Sequence, residues 1–165
     1  MAFAIQPLDK THDRASFRCG EPDLDAWFFR QAGQDERRNV ARVFVAVDNL
    51  GVAGFYSLGA FSLSLTDLPP RFAGKLPRYD AIPAALIGRL ARDQRVRGEG
   101  VGELLLADAL RRVLGADLGI FAILVDAKSD QASAFYQSYG FQPFPARPDR
   151  LFLLTATAAA AIERM

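Results

Sequence analysis

A chain of 165 residues with 50% hydrophobic and 24% charged residues can bury a sizeable core without staples, which excludes a disordered or collagen-like polymer. The formal charge of +1 demands neither nucleic acid nor a membrane surface, and one cysteine (Cys19) with one histidine (His12) builds neither a disulfide nor a Cys/His zinc site. No apolar run approaches the roughly 18 residues of a membrane span, and Pro7 and Asp9 interrupt the N-terminus where a signal sequence would be apolar, so a soluble cytoplasmic protein without a metal or a membrane partner is expected.

The predicted elements follow in chain order. Leu24, Trp27, Phe28 and Ala32 recur at helical spacing behind Pro22, and Glu21, Asp23 and Asp25 complement the dipole of a helix over about 22–38. Two β-rich runs, 42–47 and 52–58, flank Asp48-Asn49-Leu50-Gly51, whose composition suits a hairpin turn. Residues 61–65 alternate strictly and predict a further strand. Residues 69–83 hold four prolines and three basic residues, too much punctuation for a regular element, and predict an exposed basic loop. Residues 84–91 read as a buried strand, 101–114 as a helix with Asp108 on its wet face ahead of Arg111 and Arg112, and 120–125 as another strand. Ala132, Phe135, Tyr136 and Tyr139 mark a short helix stopped by Gly140. Residues 151–154 form the last strand, and the alanine-rich tail from 156 adds a helical turn. With no repeat or linker, one α/β domain over 1–165 is expected.

Charge is unevenly placed along this order. Arg71, Lys75, Arg78, Arg89, Arg92, Arg95 and Arg97 fall in one stretch whose only acids are Asp80 and Asp93. Nearly all the basic residues are arginine, which suits planar, bidentate phosphate contacts.

The informative segment is Arg95-Val-Arg-Gly-Glu-Gly-Val-Gly102, between a strand and a helix. A glycine-rich turn feeding a helix N-terminus presents unpaired N–H groups beside the positive end of the dipole, a site for phosphate. A dinucleotide fingerprint would need glycine at position 103, which is Glu103, and no Gly-Lys-Ser/Thr ends a Walker loop. The two arginines in the loop, Arg95 and Arg97, strengthen the anion reading.

Arg97-x-x-Gly100-x-Gly102 in this setting resembles the coenzyme A pyrophosphate loop of the GNAT acyltransferase superfamily, and Ala134-Phe-Tyr-Gln-Ser-Tyr-Gly-Phe141 stands where that family carries a Phe-Tyr pair ending in Gly-Phe. The resemblance implies a mixed central sheet flanked by helices, with a splayed strand pair binding acyl-CoA. It implies that the amides from Val96 through Arg97, Gly98, Glu99, Gly100, Val101, Gly102 and Glu103 hold the pyrophosphate. Leu90, Ala91 and Arg92 would pair with the pantetheine amides as an added strand, and Ser129, Ser133 and Phe135 would complete the acetyl-CoA site. Ser129 departs from the asparagine common in the family.

A narrower resemblance lies upstream. Phe17-Arg-Cys-Gly-Glu-Pro-Asp-Leu-Asp-Ala-Trp27, Val52-Ala-Gly-Phe-Tyr-Ser-Leu58 and Ile82-Pro-Ala-Ala-Leu-Ile-Gly-Arg-Leu-Ala91 are similar to the TacT-like GNAT toxins of toxin–antitoxin modules. That likeness implies acetylation of the α-amine of aminoacyl-tRNA, arrest of translation, a ribbon-helix-helix antitoxin as partner, and a homodimer. The alternatives are an acetyltransferase of a protein or small-molecule amine, and a non-catalytic module that binds acyl-CoA or an antitoxin.

Acetyl transfer needs a neutral amine and a proton for the departing thiolate. Tyr136 is the candidate general acid if the family geometry holds. No base stands out; His12 reads as a surface or capping residue, and an α-amine that titrates near roughly 7.7–8 needs less help than a lysine near about 10.4. Arg37, Arg38 and Arg42, with Arg71, Lys75 and Arg78, are the candidate phosphate contacts for tRNA.

Overall fold

The computed structural model describes residues 2–76 and 79–165. Its strands are β1 (Ala4–Pro7), β2 (Arg42–Asp48), β3 (Gly51–Ser64), β4 (Ala81–Arg92), β5 (Ala122–Asp126), β6 (Gln142–Phe144) and β7 (Arg147–Leu154). Its helices are α1 (Pro22–Arg30), α2 (Ala32–Arg37), α3 (Pro70–Ala73), α4 (Val101–Leu114), α5 (Asp130–Gln137) and α6 (Thr155–Glu163). The strand order is β1-β2-β3-β4-β5-β7-β6. β4 and β5 run parallel, whereas β1 with β2, β2 with β3, β5 with β7 and β6 with β7 are antiparallel, which is the mixed sheet expected. The chain divides into two compact units, Met1–Gly59 with Gly88–Ala109, and Ala60–Ile87 with Leu110–Met165.

In the first unit, period-two alternation along β2 and β3 sends side chains to opposite faces. One face carries Val43, Val45 and Phe55 into a cluster with Phe17, Leu24 and Phe28. Phe28 and Phe55 stack at 4.2 Å between centroids, and Phe17 meets both edge-on. Burying each such ring contributes on the order of 1.5–3 kcal/mol, which is what fixes the short α1 to the sheet. On the opposite face, Tyr56 donates its hydroxyl proton to Asp108 of α4 at 2.6 Å. Asp108 is therefore half-buried and turned toward β3 rather than serving only the wet face. Gly54 makes the contact possible: a Cβ there would lie 2.9 Å from Leu105 Cδ1 and 3.0 Å from both Ala91 O and Val101 Cγ1. No larger residue lets α4 approach β3 so closely.

In the second unit, Ala84–Ile87 of β4 pair with Ala122–Val125 of β5, and β7 continues from the other edge of β5. Leu63, Leu68, Ile82, Leu124, Phe144 and Phe152 form its core. Ala158 and Ala161 of α6 are buried, their small side chains allowing close packing.

Three expectations change. Residues 61–65 are not a separate strand: β3 runs on to Ser64, because Gly59 and Ala60 stay extended and supply no turn. Residues 69–83 are not wholly irregular. Pro70 opens the single turn of α3, where its fixed φ and missing N–H cost nothing, and Phe72 packs edge-on against Phe152 at 5.5 Å. The helix over 22–38 is broken at Gln31 into α1 and α2.

Candidate active site

The first unit carries the glycine loop. Asp93, buried just beyond β4, donates its N–H to Ala53 O at 2.8 Å. Its carboxylate accepts the N–H of Arg95 at 2.9 Å and of Arg18 at 3.0 Å. The chain thus leaves the strand in one fixed direction. Val96 and Val101 are each 1% exposed, whereas every residue between them is exposed, so the loop is pinned at both ends and open between. Gly98 (φ +82°) and Gly100 (φ +79°) are left-handed, and nothing lies within 4 Å of where a Cβ would stand on either. Glycine is required here by conformation, not by crowding. Leu104 N–H bonds to Gly100 O at 3.0 Å, so the amides of Val101 and Gly102 precede the first helical bond of α4. The amides of Val96, Arg97 and Glu99, expected to hold the ligand, are instead given to Asp93 O at 3.2 Å, Gln94 O at 3.2 Å and Val96 O at 3.1 Å, so the part of the exposed arc that fits a pyrophosphate is the run of Gly98, Gly100, Val101 and Gly102 amides at the positive end of a 14-residue helix. Arg97 and Glu99 are exposed on the same arc.

Arg95 has a different task from the one its position suggests. Its guanidinium grips Asp48 in a bidentate pair at 2.8 and 2.9 Å and reaches Val52 O at 3.3 Å, tying the loop to the β2–β3 turn. The hydrogen bond from Arg95 holds the Asp48 carboxyl below its ordinary range, and Asp48 in turn raises Arg95. Leu90 and Arg92 are half-buried and Ala91 is buried. The parallel register of β4 with β5 ends at Ile87, well short of these residues.

The second unit carries Tyr136, on α5. Ser129 caps that helix, accepting the Ala132 N–H at 3.1 Å, and Gly140 (φ +97°) closes it. The side chain of Ser129 is thus committed to the cap. Ser133 Oγ accepts from Gln137 Nε2 at 3.0 Å, and Phe135 lies edge-on to Tyr136 at 5.3 Å and to Tyr139 at 5.4 Å. Tyr136 is 4% exposed. Burial, and secondarily the Asp126 carboxylate, push its phenol well above the ordinary tyrosine value, so the proton is held firmly at neutral pH. Asp126 is itself paired with Arg150, at 2.7 Å (Nε to Oδ1) and 3.0 Å (Nη2 to Oδ2), across the β5–β7 register.

The remaining candidates divide. Arg37, Arg38 and Arg42 are exposed in the first unit, and Arg42 is partly engaged with Glu36 at 3.2 Å and Asn39 at 2.8 Å. Arg71 and Lys75 belong to the second unit, where Arg71 donates to Gln142 Oε1 and lies over the Phe72 ring. Arg78 lies outside the described residues. His12, in the segment after β1, is neither a surface residue nor a helix cap: its side chain is 6% exposed, its Nδ1 accepts the Asp9 N–H at 3.0 Å and its Nε2 meets Gln6 Oε1 at 2.9 Å. Burial, helped by Asp25, pushes the Cys19 thiol up to about 12, which removes it as a nucleophile. The Cys19 N–H bonds to Asp25 Oδ1 at 2.9 Å, so this motif shapes the lead-in to α1. Among the described residues no group of His, Cys, Asp and Glu could hold a metal ion, and no helix is long and apolar enough to cross a membrane.

A family profile described as an acetyltransferase (GNAT) domain matches residues 39–143. "Probable toxin TacT" of Sinorhizobium fredii (strain NBRC 101917 / NGR234) is 42% identical, covering 93% of this chain and 91% of that protein. "tRNA-acetylating toxin" of Mycobacterium tuberculosis (strain ATCC 25618 / H37Rv) is 38% identical, covering 96% of each. Among solved structures, AtaT complexed with acetyl-methionyl-tRNAfMet matches with a TM-score of 0.87 at 29% identity, covering 96% of this chain and 98% of that one. AtaTR bound with AcCoA matches with a TM-score of 0.83 at 29% identity, covering 96% of each chain. A mutant AtaT toxin bound to the C-terminus of the antitoxin AtaR and acetyl-CoA matches at 0.81 and 26%, covering 97% of each chain. The pinned glycine arc, the buried phenol and these kinships agree, and the chain belongs to the GNAT acetyltransferase family.

Proposed function

We propose that this chain is a toxin that transfers the acetyl group of acetyl-CoA to the α-amine of aminoacyl-tRNA and so blocks translation. The observation that carries the reading is kinship along nearly the whole chain to proteins named as TacT and as a tRNA-acetylating toxin. When bound, acetyl-CoA supplies an acetyl carbon activated as a thioester. The amides of Gly98, Gly100, Val101 and Gly102, in the arc from Arg97 to Glu103, hold the pyrophosphate, and the backbone of Leu90 to Arg92 receives the pantetheine arm. Ser133 and Phe135 border that arm, with Ser129 acting through the cap of α5. As the acceptor nitrogen bonds to the acetyl carbon, the carbon–sulfur bond breaks and the Tyr136 hydroxyl gives its proton to the departing sulfur. The α-amine is already partly neutral near pH 7 and can attack without a base; after attack the nitrogen releases its proton to water, and Tyr136 takes a proton back from solvent.

In this reading the two units work as one acetyltransferase domain over 1–165, and Arg37, Arg38, Arg42, Arg71, Lys75 and Arg78 contact tRNA phosphates. A homodimer and a ribbon-helix-helix antitoxin complete the system. Its place of action is the cytoplasm, where charged tRNA is found. Incubation of the purified protein with labelled acetyl-CoA and a charged tRNA pool should place label on the aminoacyl ends, and Tyr136→Phe should not. Label on protein or small amines alone would overturn the tRNA assignment.

A further inference from the structure

The end of β4 is flanked on one edge only. Ile87 is its last residue in register with β5, so among the described residues β3 alone flanks the stretch from Gly88 to Arg92. Two bonds fix which groups of that stretch face β3. Asp93 gives its N–H to Ala53 O at 2.8 Å, and four residues earlier in the chain Arg89 gives its N–H to Ser57 Oγ at 3.1 Å. Successive residues of an extended strand turn their N–H and C=O groups to alternate edges, so Ala91 falls with Arg89 and Asp93. Its carbonyl agrees, since a Cβ on Gly54 of β3 would stand 3.0 Å from Ala91 O. Gly88, Leu90 and Arg92 therefore turn their main-chain groups to the other edge.

The acceptor opposite Arg89 differs in kind from an ordinary strand acceptor. Strand amides give to carbonyls, and here a side-chain hydroxyl receives the bond. Ser57 is 3% exposed and shares a face of β3 with Phe55, which belongs to the aromatic cluster of the first unit. A hydroxyl in such surroundings is unfavourable unless it is bonded, whereas alanine would pack there freely. Among the described residues Ser57 and Asp93 are the buried polar ones, and both accept main-chain N–H groups of this one stretch, from Arg89 at its start and Arg95 just past its end. The Arg89 side chain is held as well. Its guanidinium lies over the Trp27 ring at 4.2 Å, and Trp27 stacks on Phe55 at 5.8 Å. Arg89 is thus anchored through main chain and side chain immediately before Leu90.

We infer that Ser57 is a positioning residue of the acetyl-CoA site: its hydroxyl holds the Arg89 N–H on the β3 side, so that Leu90 and Arg92 offer their N–H and C=O groups to the pantetheine arm as an added strand. The inference rests on the acetyl-CoA reading and adds to it a residue that acts only through Arg89. Removing the hydroxyl leaves the Arg89 N–H without this acceptor and lets the Leu90–Arg92 edge shift. The glycine arc, seated by Val96 and Val101, stays where it is.

Two ligands separate these parts. Acetyl-CoA uses both the arc and the strand edge, whereas 3′-phospho-ADP, the nucleotide end of the coenzyme, has no pantetheine arm. In calorimetry Ser57→Ala should bind acetyl-CoA about tenfold more weakly than the unaltered protein and 3′-phospho-ADP equally well. Ser57→Thr, which keeps the hydroxyl, should recover the acetyl-CoA affinity, and Gly98→Val, which alters the arc, should weaken both ligands alike. Unchanged acetyl-CoA binding by Ser57→Ala, an equal loss of both ligands, or a Ser57→Thr protein no better than Ser57→Ala would overturn the inference. An unaltered protein that binds acetyl-CoA no more tightly than 3′-phospho-ADP would overturn the pantetheine assignment and the role of Ser57 with it. One that does not bind acetyl-CoA at all would overturn the acetyl-CoA reading itself.

Discussion

The loop of the first unit and the helix of the second carry their proposed roles by opposite means. Between Val96 and Val101 the groups proposed to bind are the amides of Gly98 and Gly100, and the side chains of Arg97 and Glu99 are displayed to solvent. On α5 the group proposed to act is a single hydroxyl, that of Tyr136, set in an aromatic environment with Phe135 and Phe141. A site made of backbone is changed by altering conformation; a site made of one side chain is changed by removing one atom. Substitutions in the two regions should therefore leave different kinetic signatures.

The largest expected effect is on the side-chain site. Tyr136→Phe should lower kcat by about 10²–10⁴-fold, the usual contribution of a positioned acid, with acetyl-CoA affinity unchanged when measured by calorimetry. The raised phenol adds a pH signature. Activity should climb as the acceptor amine loses its proton and should then stay level past pH 10, because the hydroxyl keeps its proton beyond the ordinary tyrosine range. A rate that falls between pH 9 and 10 would break the assignment.

The backbone site should respond in binding instead. Gly98→Val or Gly100→Val forces a branched residue into left-handed backbone, at about 1–2 kcal/mol, so each should weaken acetyl-CoA about tenfold while kcat at saturation changes little. Asp93→Ala tests how the loop is aimed. It leaves the Arg18 and Arg95 amides without their acceptor, and thermal unfolding should show a loss of about 1–3 kcal/mol.

The smallest effect concerns the tie that Arg95 makes to Asp48. The folded-state pKa of Asp48 is depressed, so its contribution is present above the unfolded carboxylate value near about 3.9 and is lost as pH falls through the folded value. Asp48→Asn should flatten the acid end of the stability curve below about pH 4 and leave stability near pH 7 only slightly lower.

Legibility in the sequence followed the physical source of each feature. The helix over 101–114 was readable to the residue because its apolar spacing and the glycine turn before it agree. β1 was missed: Ala4–Pro7 is largely exposed and shows no alternation. β6 is only three residues long. Asp93 carried no signal, since one of the amides it accepts belongs to Arg18, far away in the chain. Arg95 was misread for the same reason, its partner Asp48 being remote in sequence.

The two buried valines that bracket the glycine arc also say what can drift. Only positions 97–100 lie between them, and both anchors are fixed in packed surroundings. The side chains at 97 and 99 stand in solvent and the fold does not fix their identity, whereas the length of the segment sets where its amides lie: one inserted residue would bulge outward and shift them, and one deletion would pull an anchor from its seat. Here the chain stores its information as a count of peptide bonds rather than as a choice of side chains.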